Sequence, residues 1–134
     1  WVKLSMAKSI SSVTVRCDTW DSSEAYGRMN HLLDSIGRAG GVLPTAVVAA
    51  NDSQAVGIAR ALHEHGVRIP QDVRIVGYGD SPLAATTMPQ LTSLRPPVGQ
   101  IAAEALRLIA AGPASPAHIT LPPQLVVRGS TTVG

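Results

Sequence analysis

Phenylalanine is absent from the 134 residues, cysteine occurs once, and only four side chains are aromatic. A lone Cys17 excludes an intramolecular disulfide and reads as a small buried hydrophobe in a reducing, cytoplasmic setting. Nine of the eleven basic residues are arginine, and no two basic residues adjoin. A nucleic-acid site usually shows as a basic stripe, so this chain alone is not expected to bind DNA or RNA. No apolar run is long enough to span a membrane, and no signal peptide is recognisable. Nucleophile elbow, phosphate-binding Walker loop and H-E-x-x-H helix are all missing. His63 and His65, two apart on a helix, point in different directions, and His31 and His118 stand alone. No metal, no cofactor and no catalytic set is expected.

What is present is an alternation of strand-like and helix-like segments. "SVTVRCDT" (12–19) is β-branched and predicts a strand. Tyr26, Met29, Leu32, Leu33 and Ile36 then recur at helical spacing, with Asp21 or Ser22 as cap and Gly40-Gly41 as stop. "TAVVAA" is a short unbroken apolar run, as in a strand covered on both faces. A helix carrying Ala55, Ile58, Ala59 and Leu62 follows and ends at Gly66, and a strand is predicted at 73–77. "SPLAATTM" predicts a short helical turn, "LTSLR" a strand, and 98–111 a helix that Gly112-Pro113 ends. The tail predicts two short strands broken by Pro122-Pro123. The expected fold is therefore α/β: a parallel, doubly wound sheet with helices on both faces.

In such sheets ligands bind beyond the carboxyl ends of the strands. That rule brings Thr19-Trp20, Asn51-Asp52 and Tyr78-Gly79-Asp80 to one rim. Each cluster also has a plainer reading. Asn51 with Gln54 three residues later resembles a capping box, although Asp52 adds a polar group that a cap does not need. Asp80 either accepts hydrogen bonds from a polyol or caps the turn after it. Trp20 either offers its indole face to a sugar ring or is a half-buried rim residue.

The segment "PTAVVAANDSQAVGIARALHEHGVRIPQDVRIVGYGDSPLAATTMPQLTSLRPPVGQIAAEAL", together with "LPPQLVVRGST" at the end, closely resembles the carboxyl-terminal part of lactose-repressor/galactose-repressor (LacI/GalR) transcription regulators. The resemblance runs from about Val13 to Thr131. It implies the effector-binding, type I periplasmic-binding-protein-like subdomain of a regulator that binds a small polar ligand, expected to be a sugar, in a cleft between two subdomains. Operator DNA would be met only through a helix-turn-helix module that nothing in this sequence matches. Trp20 and Asn51 fall at effector-contacting positions of the family. Asp52, Gly79 and Asp80 complete the expected wall. The family often has Asp where this chain has Gly79, so the resemblance leaves open whether Asp80 replaces that carboxylate. It also implies a homodimer, with Val56, Thr86, Thr87 and Met88 at the subunit interface.

The same resemblance has helix 98–111 packing in the first subdomain and leaves residues 1–11 unassigned, ahead of a subdomain at 12–134. A different class, a periplasmic-type solute-binding module without DNA binding, remains as the alternative. The lack of a visible export signal and the L-V-V-R-G-S-T ending weigh against it.

Overall fold

The computed structural model describes residues 12–112 and 118–132; residues 1–11, 113–117 and 133–134, and with them the unassigned first segment and Pro113 after the last helix, lie outside that range. Helix α1 (Ser22–Ala39) starts where the Asp21 carboxylate accepts from the backbone N–H groups of Ser23 and Glu24, and it stops at Gly40, whose φ is 62°. Both signals were legible in the sequence. Strand β1 (Ala46–Val48), helix α2 (Asp52–Glu64), strand β2 (Arg74–Tyr78), a 3₁₀ turn (Pro82–Ala85) and strand β3 (Thr92–Arg95) follow. Helix α3 (Val98–Ala111) and strand β4 (Gln124–Val126) complete the fold.

The four strands form one sheet in the order β1-β2-β3-β4. β1, β2 and β3 are parallel, as the α/β alternation requires, and β4 joins β3 antiparallel, which makes the sheet mixed. α2 packs beneath the sheet with Ala55 and Leu62, against Val73 and Ile75, and α1 packs on α2 through Ala25, Met29 and Leu33. These residues make one continuous apolar core. Two close approaches set the helix pair. A β-carbon on Gly57 would stand 2.0 Å from the carbonyl oxygen of Ser22, so only glycine lets α1 start this close to α2. Tyr26 on α1 donates to Glu64 on α2 at 2.5 Å, while the Arg60 guanidinium sits 4.4 Å above the Tyr26 ring.

Two expectations are corrected. Residues 12–19 form no strand, because the backbone N–H groups of Asp18 and Thr19 both go to the Glu24 carboxylate instead of a neighbouring strand. In the tail only Gln124–Val126 pairs; residues 118–121 stay outside the sheet. Among the described residues, the sheet face opposite α2 has no helix over it. Pairing register puts Val48, Val76, Tyr78, Leu94 and Leu125 on that face, with Val48 74% and Leu125 53% exposed.

Candidate functional site

The loop after β1 meets the loop after β2 through Asp52 and the turn before α1 through Asn51 and Gln54, although that turn follows no strand. Asn51 is the hinge of the site. Its Oδ1 accepts from Gln54 N–H at 2.7 Å, which caps α2, and its Nδ2 donates to the Trp20 carbonyl oxygen at 3.1 Å. Gln54 does not close the reciprocal half of a capping box. Its Nε2 instead donates to the carbonyl oxygen of Thr19 at 2.7 Å, with the side chain buried. Two amides at the start of α2 therefore hold two successive carbonyls of the 19–20 turn. One Nδ2 hydrogen and one Oδ1 lone pair of Asn51 remain for a ligand.

The other end of that turn is held by Glu24. Its carboxylate accepts from Asp18 N–H and Thr19 N–H, and from the Thr19 hydroxyl at 2.7 Å, and Arg28 closes on its outer side at 3.2 Å. The Asp18 and Thr19 bonds hold the Glu24 carboxyl far below its ordinary value, at about 2. Fixed on both flanks, Trp20 projects its indole outward and is 73% exposed. An anchored backbone with a free aromatic face is a stacking platform.

The acidic candidates sit differently. Asp52 is buried and both of its oxygens are engaged: Oδ1 accepts from the Ser93 hydroxyl at 2.6 Å and Oδ2 from Ser81 N–H at 2.7 Å. It ties the start of α2 to the loop after β2 and to β3. The Asp80 side chain is only 3% exposed. Arg95 Nε donates to Oδ2 at 2.6 Å, and Arg128 Nη2 lies 2.7 Å from Oδ1 in an ion-pair contact. Arg128 first and Arg95 second keep the Asp80 carboxyl below its usual range. Asp80 itself adopts φ 47°, which Asp tolerates better than most residues.

Gly79 has φ 119°, a conformation that side chains rarely adopt, so an aspartate at this position would be strained. Sequence reasoning missed Gln54 as a positioning group, and Ser81, Ser93, Arg95 and Arg128 altogether. Only Gln54 carried a local signal, its spacing from Asn51.

Val56, Thr87 and Met88 meet on a separate face, where they line a small cavity of about 30 Å³ with Ala59, Ile69 and Pro89. Met88 is 98% exposed beside it, and Thr86 and Thr87 turn their hydroxyls back onto the carbonyls of Leu83 and Ala84. Among the described residues no group of three His, Cys, Asp or Glu side chains is placed to hold a metal, and no helix is long and apolar enough to cross a membrane.

Residues 7–131 match the periplasmic binding protein-like domain. The HTH-type transcriptional regulator MalR of Streptomyces coelicolor is 45% identical over 91 residues, 65% of this chain and 26% of that protein. The lactose operon repressor of Escherichia coli is 29% identical over 134 residues, 98% of this chain and 36% of the repressor. This chain thus spans between about a quarter and just over a third of the length of these two relatives. Among solved structures, the complex of the transcriptional regulator CelR with cellobiose superposes with a TM-score of 0.70 at 31% identity, covering 83% of this chain and 34% of that one. The lac repressor dimer bound to operator and an anti-inducer gives 0.70 at 31% identity, covering 85% and 39%.

Proposed function

This chain belongs to the periplasmic binding protein-like family, in the form found in LacI-type transcription regulators, and from that premise we propose that it is the effector-sensing part of such a regulator, with a saccharide as effector. The observation that carries the reading is the Trp20–Asn51 pair. An indole that is mostly exposed yet held on both sides of its backbone suits the apolar face of a pyranose ring. Beside it, the free valences of Asn51 can donate to or accept from a hydroxyl. The cellobiose complex of CelR supports a sugar rather than a nucleotide.

In this reading the wall of the site is neutral. Gly79 leaves room where a carboxylate would stand, while Asp80 and Asp52 act through others: Asp80 by holding Arg95, Asp52 by fixing the loop that carries Gly79. The opposite wall, the helix-turn-helix and the contacts to operator DNA belong to parts of a regulator that this chain does not match. Helix α3 would pack in the first subdomain of such a regulator. The Val56–Met88 face would join two subunits, an arrangement consistent with the operator-bound dimer of the lac repressor. Binding would act as a population shift, favouring one of two cleft arrangements by the difference in saccharide affinity between them.

The test is a saccharide screen by thermal shift on protein carrying both walls, followed by titration of Trp20→Ala and Asn51→Ala. A sugar that raises the melting temperature of the parent and loses at least ten-fold in affinity with each variant is expected. Binding that is indifferent to both substitutions would discard the site.

A further inference from the structure

Arg95 closes strand β3, and the pairing register sets it beside the candidate site. Gly77 pairs with Ser93 and Tyr78 with Leu94, so Gly79 stands next to Arg95. The Gly79 N–H donates to the Leu94 carbonyl at 2.8 Å, which extends the ladder that far. On the other side of Gly79, Asp52 Oδ2 comes within 3.6 Å of the point where a β-carbon would stand. Asn51 precedes Asp52 and holds Trp20. Trp20, Asn51, Gly79 and Arg95 therefore follow one another along one edge, and Gly79 puts no side chain between Asn51 and Arg95.

Arg95 carries more hydrogen-bonding capacity than its own fold uses. Its Nε donates to Asp80 Oδ2 at 2.6 Å, and Nη2 reaches the same oxygen. Among the described residues no acceptor meets the other N–H groups of the guanidinium, and the side chain is 53% exposed. Nor is Arg95 needed to balance Asp80. Arg128, largely buried, lies against the other Asp80 oxygen and donates from Nη1 to the Leu91 carbonyl at 2.8 Å. A buried carboxylate already matched by one arginine thus grips a second by one edge and leaves its Nη1 edge in water. Held so, the planar fork keeps its orientation and has little rotamer freedom left to lose on binding.

The spacing and the neighbouring charges choose the group that Arg95 can take. Asn51 follows β1 and Arg95 ends β3, two strand spacings apart, or about 10 Å. A pyranose ring stacked on Trp20 is about one such spacing wide, so a single ring stops short of Arg95. A carboxylate or phosphate on Arg95 would also approach the Asp80 and Asp52 carboxyl groups, so a neutral polyol fits better than an anion. Given the saccharide reading of Trp20 and Asn51, on which this rests, we propose that Arg95 is a specificity-determining residue. Its free edge donates to adjacent hydroxyls of a second sugar ring, and the site takes a neutral saccharide of at least two rings.

The experiment is calorimetric titration of protein carrying both walls with glucose, galactose, maltose, cellobiose, lactose and trehalose. At least one disaccharide should bind ten-fold or more tightly than both monosaccharides, the scale of hydrogen bonds from a charged donor. Arg95→Met keeps the apolar stem without the donors, and Arg95→Lys keeps the charge without the fork. Each should bring that preference below three-fold, a change of ratio that a general loss of stability does not produce. Near-UV circular dichroism checks that each variant is folded. A monosaccharide bound as tightly as every disaccharide, no disaccharide bound, or a preference that survives either substitution would overturn the proposal. Binding that needs Trp20 but ignores Arg95 removes the role of Arg95 alone. Disaccharide binding that ignores both Trp20→Ala and Asn51→Ala removes the saccharide site itself.

Discussion

The Asn51 side chain joins helix α2 to the carbonyl oxygen of Trp20 across 31 residues, while the same side chain caps the helix. Cap and site are thus one group, and they separate by substitution. Asn51→Ala removes both bonds and should cost about 1–2 kcal/mol by urea titration. Asn51→Asp keeps the cap oxygen but has no N–H for Trp20. It should retain most of the stability while the Trp20 emission shifts, measured with Trp1 replaced by Phe. An emission spectrum identical to the parent in Asn51→Asp would show that the bond does not hold the turn.

Asp80 stands between two arginines in a conformation of positive φ. Asp80→Asn preserves size and tolerance for that backbone while removing the charge. It should destabilise the fold by about 1–3 kcal/mol, since Arg128 is largely buried and loses its counter-ion. Because the folded carboxyl titrates below its ordinary value, its contribution is present above the unfolded pKa and lost as pH falls through the folded one. The difference between parent and Asp80→Asn should therefore shrink in acid. A difference that is constant from pH 7 to pH 3 would contradict the ion-pair account.

Local signals in the sequence located most of the framework. Asp21 and Gly40 bound α1 because a cap needs only a short polar side chain or a left-handed residue at one place. Strand-end placement located Asn51 after β1 and Gly79 after β2, whereas Trp20 stands in the turn before α1 and not at the end of a strand. What stayed hidden depends on partners distant in the chain. The β-branched run at 12–19 looks like a strand, yet its last two N–H groups are taken by Glu24, whose spacing marks it only as a first-turn helix residue. Nor does any period connect Asp80 with Arg128, 48 positions on, because the antiparallel return of β4 brings them together.

Glu24 gives the acid limit of the site. Its carboxyl titrates at about 2 because it accepts from the Asp18 and Thr19 N–H groups and the Thr19 hydroxyl. A depressed carboxyl stabilises above its unfolded pKa, about 4.3, and that stabilisation disappears as pH falls toward 2. Trp20 fluorescence should accordingly report release of the turn between about pH 4 and pH 2. In Glu24→Gln the turn should already be loosened at pH 7. An acid transition unaltered in Glu24→Gln would remove Glu24 from the site.

The opposite sign applies at His65, whose ring meets the Ala61 carbonyl at 2.9 Å and Asp34 on α1 at 3.3 Å. The Ala61 carbonyl first, and Asp34 second, raise its pKa above the ordinary 6.5. A raised histidine contributes fully below the unfolded value and loses that contribution as pH rises through the folded one. Stability in denaturant should fall as pH rises above about 6.5, and His65→Ala should flatten that part of the profile. If the slope persists in His65→Ala, the pairing across α1 and α2 is not its source.

Gly57 sets how closely those two helices approach, and it offers the most direct test of the architecture under the site. The Ala substitution would ordinarily favour a helix by about 1 kcal/mol, because glycine is the poorer helix former. Here the added methyl would lie 2.0 Å from the Ser22 carbonyl oxygen, which is backbone and cannot rotate away. Steric overlap of this kind costs about 1–3 kcal/mol or more, so the propensity gain is outweighed and Gly57→Ala should lower stability. The displaced element would be the first turn of α1, directly after Trp20, and the Gln54–Thr19 and Asn51–Trp20 bonds would lengthen with it. Gly57→Ala should consequently change Trp20 emission as well as the unfolding midpoint, although residue 57 does not line the rim. A variant that is more stable than the parent, with its emission unaltered, would mean that α1 does not start against α2 at this point.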